Sequence, residues 1–224
     1  MNLYIDIETI PTQRQDFQDE IRAKITAPGQ YKKPESIAKW MQEFGEAAFD
    51  DAWRKTSFDG TIGEIICIGF ALGDGEAQEV HRTTRTEAVM LANFNLTMSE
   101  LLKDSYGNVI HPTWVGHNIC DFDARFIWQR MVLNNVKPAF NIPYNEKPWS
   151  NKVFDTLYQW KGNNKSGGSL DRICKAMNLK GKGDIDGSKV WDYVKAGKVA
   201  EVAEYCKDDV NKTRQLYKRM MFEG

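Results

Sequence analysis

The sequence predicts an α/β protein in which a mixed sheet carries helices on its faces. Three observations lead there. Two β-prone runs lie in the first third of the chain, Leu3-Tyr4-Ile5-Asp6-Ile7-Glu8-Thr9 and residues 60–72, GTIGEIICIGFAL. Between them, apolar residues recur at three- and four-residue spacing, so a helical insertion of about residues 12–60 separates the first strand from the second. Beyond residue 86, segments of helical spacing alternate with short apolar strands.

The first strand covers residues 3–9 and is broken by Ile10-Pro11-Thr12. Gln15 to Ile25 reads as a helix, and Pro28-Gly29 marks a turn. From Pro34 onward, Ile37, Trp40, Met41, Phe44, Ala48, Ala52 and Trp53 share one helical face, for which core packing is a better account than a partner's groove. Residues 60–72 read as a buried central strand. A turn at Gly73-Asp74-Gly75 leads to a strand at Gln78-Glu79-Val80-His81, which completes a three-strand antiparallel meander. Thr86 to Leu102 has helical spacing, Pro112 to Gly116 is a short buried strand, and Phe122 to Leu133 starts a helix directly after it. An irregular stretch from Lys137 to Pro148 precedes a strand at Lys152 to Thr156. A polar loop at 163–168 leads to a helix over Leu170–Met177 with Ser169 as N-cap. A second flexible loop at 181–187 and a closing helix over Val199–Met221 finish the chain.

The chain has 224 residues, 42% hydrophobic and 27% charged, ordinary values for a soluble globular protein with a substantial core. Without repeats or a low-complexity linker, residues 1–224 read as a single domain. Lys+Arg (30) and Asp+Glu (31) nearly cancel to a formal charge of -1, which excludes a bulk polycation but not a local basic track. Cys67, Cys120, Cys174 and Cys206 contain no C-x-x-C pair, so reduced thiols in a cytoplasm fit better than zinc or disulfides. No signal-peptide pattern and no membrane-length apolar run is present, and a soluble cytoplasmic protein is expected.

Chemistry concentrates in acidic residues. Alternation along a strand puts Asp6 and Glu8 on one face, about 7 Å apart, where they repel unless protons or cations intervene. Asp-x-Glu alone fits a solvated edge strand better than a Mg²⁺ site, so further carboxylates must converge. The strand at 112–116 runs into Gly116-His117-Asn118-Ile119-Cys120-Asp121-Phe122-Asp123, where Asp121 or Asp123 is either a helix cap or a ligand. In the closing helix Tyr205 and Asp209 stack four residues apart at the rim of an apolar stripe, where an unpaired carboxylate is costly. Asp208 has a plainer role, pairing with Lys212 on the solvent side. His117, His81 and His111 read as packing or hydrogen-bonding residues.

These segments, DIET, GHNICDFD and Y-x-x-x-D in that order, resemble the three motifs of the DEDD 3′–5′ exonucleases of the ribonuclease H-like fold. The tyrosine is similar to that of the DEDDy branch, and asparagine followed by Phe-Asp resembles the exonuclease domain of family B DNA polymerases. Phe154-Asp155-Thr156-Leu157 and Ser169-Leu170-Asp171-Arg172-Ile173 also look family-like, so the resemblance spans most of the chain. It implies a ribonuclease H-like sheet. It also implies catalytic residues at Asp6, Glu8, Asp123, Tyr205 and Asp209, the four carboxylates binding two Mg²⁺ or Mn²⁺ ions. Asp123 is placed as the second-motif ligand because the family pattern is aromatic-Asp, with Asp121 as the alternative. Thr9, Asn118 and Phe122 match positions beside substrate. Two departures stand out: the long insertion from about Thr12 to Gly60, and Ala124-Arg125 where Leu-Pro is common.

The implied activity is hydrolysis of phosphodiester bonds from the 3′ end of single-stranded or frayed nucleic acid, DNA before RNA, releasing nucleoside 5′-monophosphates. Two cations clamp the attacking and leaving oxygens. Tyr205, with an ordinary pKa near 10, is a poor base, and aiming the attacking water suits it better. Lys161, Lys165, Arg172, Lys175, Lys180 and Lys182 around the late loops are either a phosphate track or a solvated face. Phe122, Phe126, Tyr158 and Trp160 are either stacking platforms or core. The alternatives are an RNA-directed exonuclease, an endonuclease on the same fold, or a catalytically silent interaction module.

Overall fold

One five-stranded sheet organises the protein, whose computed structural model describes residues 1–82, 86–162, 168–179 and 185–223. Its central strand is β1 (Asn2–Ile10), flanked by β2 (Glu64–Leu72) and β4 (Thr113–Gly116), with β3 (Gln78–His81) and β5 (Val153–Asp155) at the edges. β1, β2 and β3 form the expected antiparallel meander, while β4 and β5 add in parallel. Between β1 and β2 stand α1 (Gln15–Lys24) and α2 (Pro34–Arg54), the predicted helical insertion. Then come α3 (Glu87–Leu101), α4 (Asp123–Leu133), α5 (Thr156–Lys161), α6 (Leu170–Ala176), α7 (Val190–Lys195) and α8 (Val199–Met220). The six-residue α5 and α7 were not anticipated, because so short a segment shows too little of a 3.6-residue period to read.

The sheet divides the apolar residues between two faces. Leu3, Ile5 and Ile7 of β1 point into a core with Phe94 of α3, Ile127 of α4 and Trp114 of β4. Ile10, Ile66 and Cys67 pack against Val202, Ala203 and Cys206 of α8 on the other side. Ile66 and Cys67 are neighbours in sequence and still share a face. The β1–β2 register shifts between Glu8 and Thr9, a bulge that puts an extra residue on β2 and re-aims the chain there.

The predicted core role of the α2 face does not hold over its outer half. Ile37, Met41 and Phe44 are exposed, and Gly45 is the buried residue of that helix among those described. The insertion packs on itself through Tyr31–Trp40, Trp40–Phe44 and Arg22 over the Phe49 ring. At its base Trp53 meets Trp191 of α7 edge-on and donates from its indole N–H to the carbonyl of Thr12, just beyond β1, at 2.8 Å. Helical spacing reveals that a face exists and says nothing about what it meets. Among the described residues no helix is long and apolar enough to cross a membrane.

A buried ion pair ties the insertion's exit to the sheet. The Arg130 guanidinium of α4 donates through Nε and Nη2 to both oxygens of Glu87, and through Nη1 to the carbonyls of Gly60 and Thr61 at 3.3 Å. Glu87 also accepts from the Ile65 N–H at 2.7 Å and from Asn134. Removing one partner strands a charge away from water. Arg130→Ala is expected to lose about 3–5 kcal/mol of stability in urea denaturation, and a loss below 1 kcal/mol would contradict this role.

Candidate functional site

Strand alternation and helix spacing bring the motif residues together from opposite ends of the chain. On the β1 face opposite Ile5 and Ile7, Asp6 and Glu8 look toward α8, which presents Asp209. Carboxylate oxygens of Asp6, Glu8 and Asp209 lie within 4.8 Å of one another. The close approach of α8 depends on Gly69, which sits opposite Asp6 in the register. A Cβ there would come 3.0 Å from Cys206 Sγ and 3.1 Å from the Cys206 carbonyl oxygen. Cys206 in turn places its Sγ 3.6 Å from Asp6 Oδ2.

Asp123 arrives from the end of β4. β4 pairs with β1 over Asn2–Tyr4, and farther along, no strand among the described residues lies beside that edge of β1. There the Ile7 N–H donates to Asp123 Oδ1 at 3.1 Å. Asp123 is the first residue of α4, is 3% exposed, and faces the Asp6 charge. It does not cap the helix. Asp121 is exposed to solvent.

The loop that delivers Asp123 is built around Asp155. This buried carboxylate accepts from the N–H groups of Asn118 and Cys120 and caps α5 through Leu157 and Tyr158. Asn118 turns the chain at φ 71, a left-handed conformation that asparagine tolerates better than most residues. His117 is engaged at both ring nitrogens, Nδ1 with the Thr156 hydroxyl at 2.9 Å and Nε2 with the Gly168 carbonyl at 3.2 Å. Burial pushes its pKa down. The Gly168 carbonyl can only accept, so Nε2 carries a proton and His117 braces the loop. Asp155 carries much of this geometry, and the sequence reading singled out its segment only by resemblance.

Burial and mutual repulsion dominate the electrostatics. Burial, then the charges of Asp123, Glu8 and Asp209, push the Asp6 carboxyl well above the usual range. Burial lifts Asp123 to about 7 against the stabilising Ile7 N–H. Burial also raises Asp209, opposed by Lys212 and the Tyr205 hydroxyl. Tyr205 is raised far above an ordinary phenol, by burial and then by Asp209 and Glu8, so at neutral pH it is a hydrogen-bond donor and not a base.

Lys212 departs from its predicted solvent-side pairing with Asp208. It is 4% exposed, donates from Nζ to Asp209 Oδ1 at 2.7 Å, and lies 3.9 Å from Asp171 and 5.7 Å from the Tyr205 ring centroid. The i+3 position lies on the Asp209 side of the helix, and an excess of buried negative charge draws the ammonium inward. The Thr9 hydroxyl donates to the Ser57 carbonyl at 2.7 Å, fastening the insertion next to Glu8. Phe122 is half-buried against Phe126, which is core. Lys165, Lys180 and Lys182 lie outside the described residues, so of the predicted basic track only Lys161, Arg172 and Lys175 are placed.

The donor set suits a hard divalent cation: all-oxygen ligands, partly to fully buried, converging, and too negative to be comfortable without positive charge. Comparison with known proteins points the same way in fold. A family profile described as a predicted 3'-5' exonuclease related to the exonuclease domain of PolB matches residues 64–224. Among solved structures, the family B DNA polymerase from the hyperthermophilic archaeon Pyrobaculum calidifontis is similar, with a TM-score of 0.58 and 14% identity. That alignment covers 98% of this chain and 24% of the polymerase, so the chain spans about a quarter of that protein's length. No curated protein matches the chain.

Carboxyls held above their unfolded values make the native state bind more protons than the unfolded chain, so stability falls as pH rises through the gap. For Asp123 the gap runs from 3.8 to about 7, and Asp6 and Asp209 shift in the same direction. His117, depressed by burial, pulls the opposite way but is one group against three. In EDTA, thermal melts are expected to show lower stability at pH 8 than at pH 5, with Mn²⁺ or Mg²⁺ stabilising more at pH 8. Higher metal-free stability at pH 8 would contradict the picture.

Proposed function

The chain belongs to the family of predicted 3'-5' exonucleases related to the exonuclease domain of PolB, and from that premise we propose a two-metal 3′–5′ exonuclease acting on single-stranded or frayed 3′ ends, DNA first. The observation that carries this reading is the meeting of Asp6, Glu8 and Asp209 within 4.8 Å, with Asp123 turned onto the same strand. Their separation along the chain makes a chance cluster of this kind a poor explanation.

In this reading Asp6, Glu8, Asp209 and Asp123 hold two Mg²⁺ or Mn²⁺ ions. Bound cations would supply charge neutralisation and Lewis acidity at the scissile phosphate. Asp6, repelled by each of the other three carboxylates, would gain most from the positive charge. Lys212 on Oδ1, together with the Tyr205 hydroxyl, holds the Asp209 carboxylate in one orientation. Tyr205, held as a neutral phenol hydrogen-bonded to Asp209, would orient a water or a phosphate oxygen by turning that one hydroxyl hydrogen toward it once cations take up the Asp209 charge, without removing a proton. Asp123 is kept in place by a backbone N–H that survives any change of side-chain protonation. Asn118 and Phe122, on the braced loop before Asp123, line the approach of the strand.

End-labelled DNA and RNA oligonucleotides incubated with Mg²⁺, Mn²⁺ or EDTA test the proposal. A ladder shortening from the 3′ end, absent in EDTA, is the expected result. Internal cuts would favour an endonuclease, and tight binding without product a silent module. Asp6→Ala and Asp123→Asn are expected to lower turnover at least about a hundredfold. Tyr205→Phe should lose less, and Asp121→Asn should remain close to the parent rate. The reverse ranking of Asp121 and Asp123 would reassign the second motif.

A further inference from the structure

Phe58, the last residue of the insertion's closing 3-10 turn, is 73% exposed. It is not a loose side chain on a loose loop. Ser57 is held by the Thr9 hydroxyl, Thr56 accepts from the Thr12 N–H at 2.9 Å, and the Asp59 N–H donates to the Thr56 carbonyl at 3.0 Å. Gly63 closes the turn so tightly that a Cβ would lie 2.4 Å from the Thr56 carbonyl oxygen. The fold therefore fixes the backbone from which a large apolar ring stands out into water.

That ring adjoins the loop that delivers Asp123. The Phe58 ring centroid lies 6.3 Å from that of Phe122, the residue directly before Asp123, and Phe122 continues to Phe126 at 5.3 Å. Phe58 also walls a recess of about 250 Å³ that opens onto Thr9, the neighbour of Glu8. A second recess of about 230 Å³ lies on its other side, lined by Phe122, Asp59, Asp121, Arg125 and Gln129. Two carboxylates against one guanidinium do not recruit a phosphate there, whereas two aromatic rings recruit a flat, neutral surface. The rings are inclined at 55° and too close to sandwich a third, which needs about 7 Å, twice the carbon–carbon contact distance. They form an angled shelf with the outer face of Phe58 open.

We propose that Phe58 is a substrate-positioning residue on which a base of the entering single strand stacks, the base next to the 3′-terminal nucleotide. Phe122, adjoining Asp123, is left to the terminal one. This inference rests on the exonuclease reading for the direction of the strand. The stacking itself comes from the insertion, since Phe58 lies outside residues 64–224 matched by the family profile.

The test uses a single-stranded oligodeoxynucleotide with 2-aminopurine next to its 3′ terminus, with Ca²⁺ in place of Mg²⁺ to hold off cleavage. The wild-type chain is expected to bind it and quench its fluorescence. Phe58→Ala should bind about tenfold more weakly and lose the quenching, and Phe58→Trp should recover both. Replacing the 2-aminopurine by an abasic site should bring the wild type down to the Phe58→Ala level, with no further loss in the variant. Equal binding and quenching by wild type and Phe58→Ala would overturn the shelf, as would a wild type indifferent to the abasic site, the behaviour of a patch that docks protein. A wild type that shows the expected stacking yet cleaves nothing in Mg²⁺ would leave the shelf standing and count against the exonuclease reading.

Discussion

Negative charge withdrawn from water must be answered by something positive, and the candidate site is arranged around that constraint. Three carboxylates within 4.8 Å and a fourth facing Asp6 cannot all ionise in the metal-free chain without mutual destabilisation. The protein answers with what it has: the Lys212 ammonium on Asp209, the Ile7 N–H on Asp123, and protons held above their usual range. A second buried acid elsewhere is handled differently. Glu87 is fully matched by Arg130, Asn134 and a backbone N–H, so it is a structural tie with no capacity left over. The contrast separates a carboxylate neutralised by a guanidinium from a set held close together under mutual repulsion.

The sheet makes that concentration possible. β4 stops pairing with β1 after Tyr4, which frees the edge where Asp123 enters, and the bulge beside Glu8 turns the end of the strand toward the insertion. Gly69 lets α8 settle against β2, so Cys206 and Asp209 come down on Asp6. Each device is local and small. Together they put carboxylates of residues 6, 8 and 209 within 4.8 Å of one another and bring residue 123 onto the edge of the same strand.

The positions of β1, β2, α4 and α8 were legible because their periods are long or strongly apolar, and the Asp6–Glu8 pair followed from alternation alone. Preferring Asp123 to Asp121 needed the aromatic-Asp pattern, because a difference in burial, one carboxylate on a strand edge and the other in solvent, is not written in the spacing. Lys212 was misplaced because i+3 and i+4 pairings look equally good on paper, and only the surplus charge at Asp209 decides between them. The α2 stripe was misread because spacing carries no information about partners. Phe58 gave no signal, since one phenylalanine before a glycine-rich strand is ordinary until its exposure beside Phe122 is seen.

The most direct measurement of the central claim is a crystal structure of the chain grown with Mn²⁺ and recorded at the manganese absorption edge. The account predicts anomalous peaks among Asp6, Glu8, Asp209 and Asp123, with the Lys212–Asp209 contact kept. A well-ordered map with no peak at these carboxylates at millimolar Mn²⁺ would contradict it.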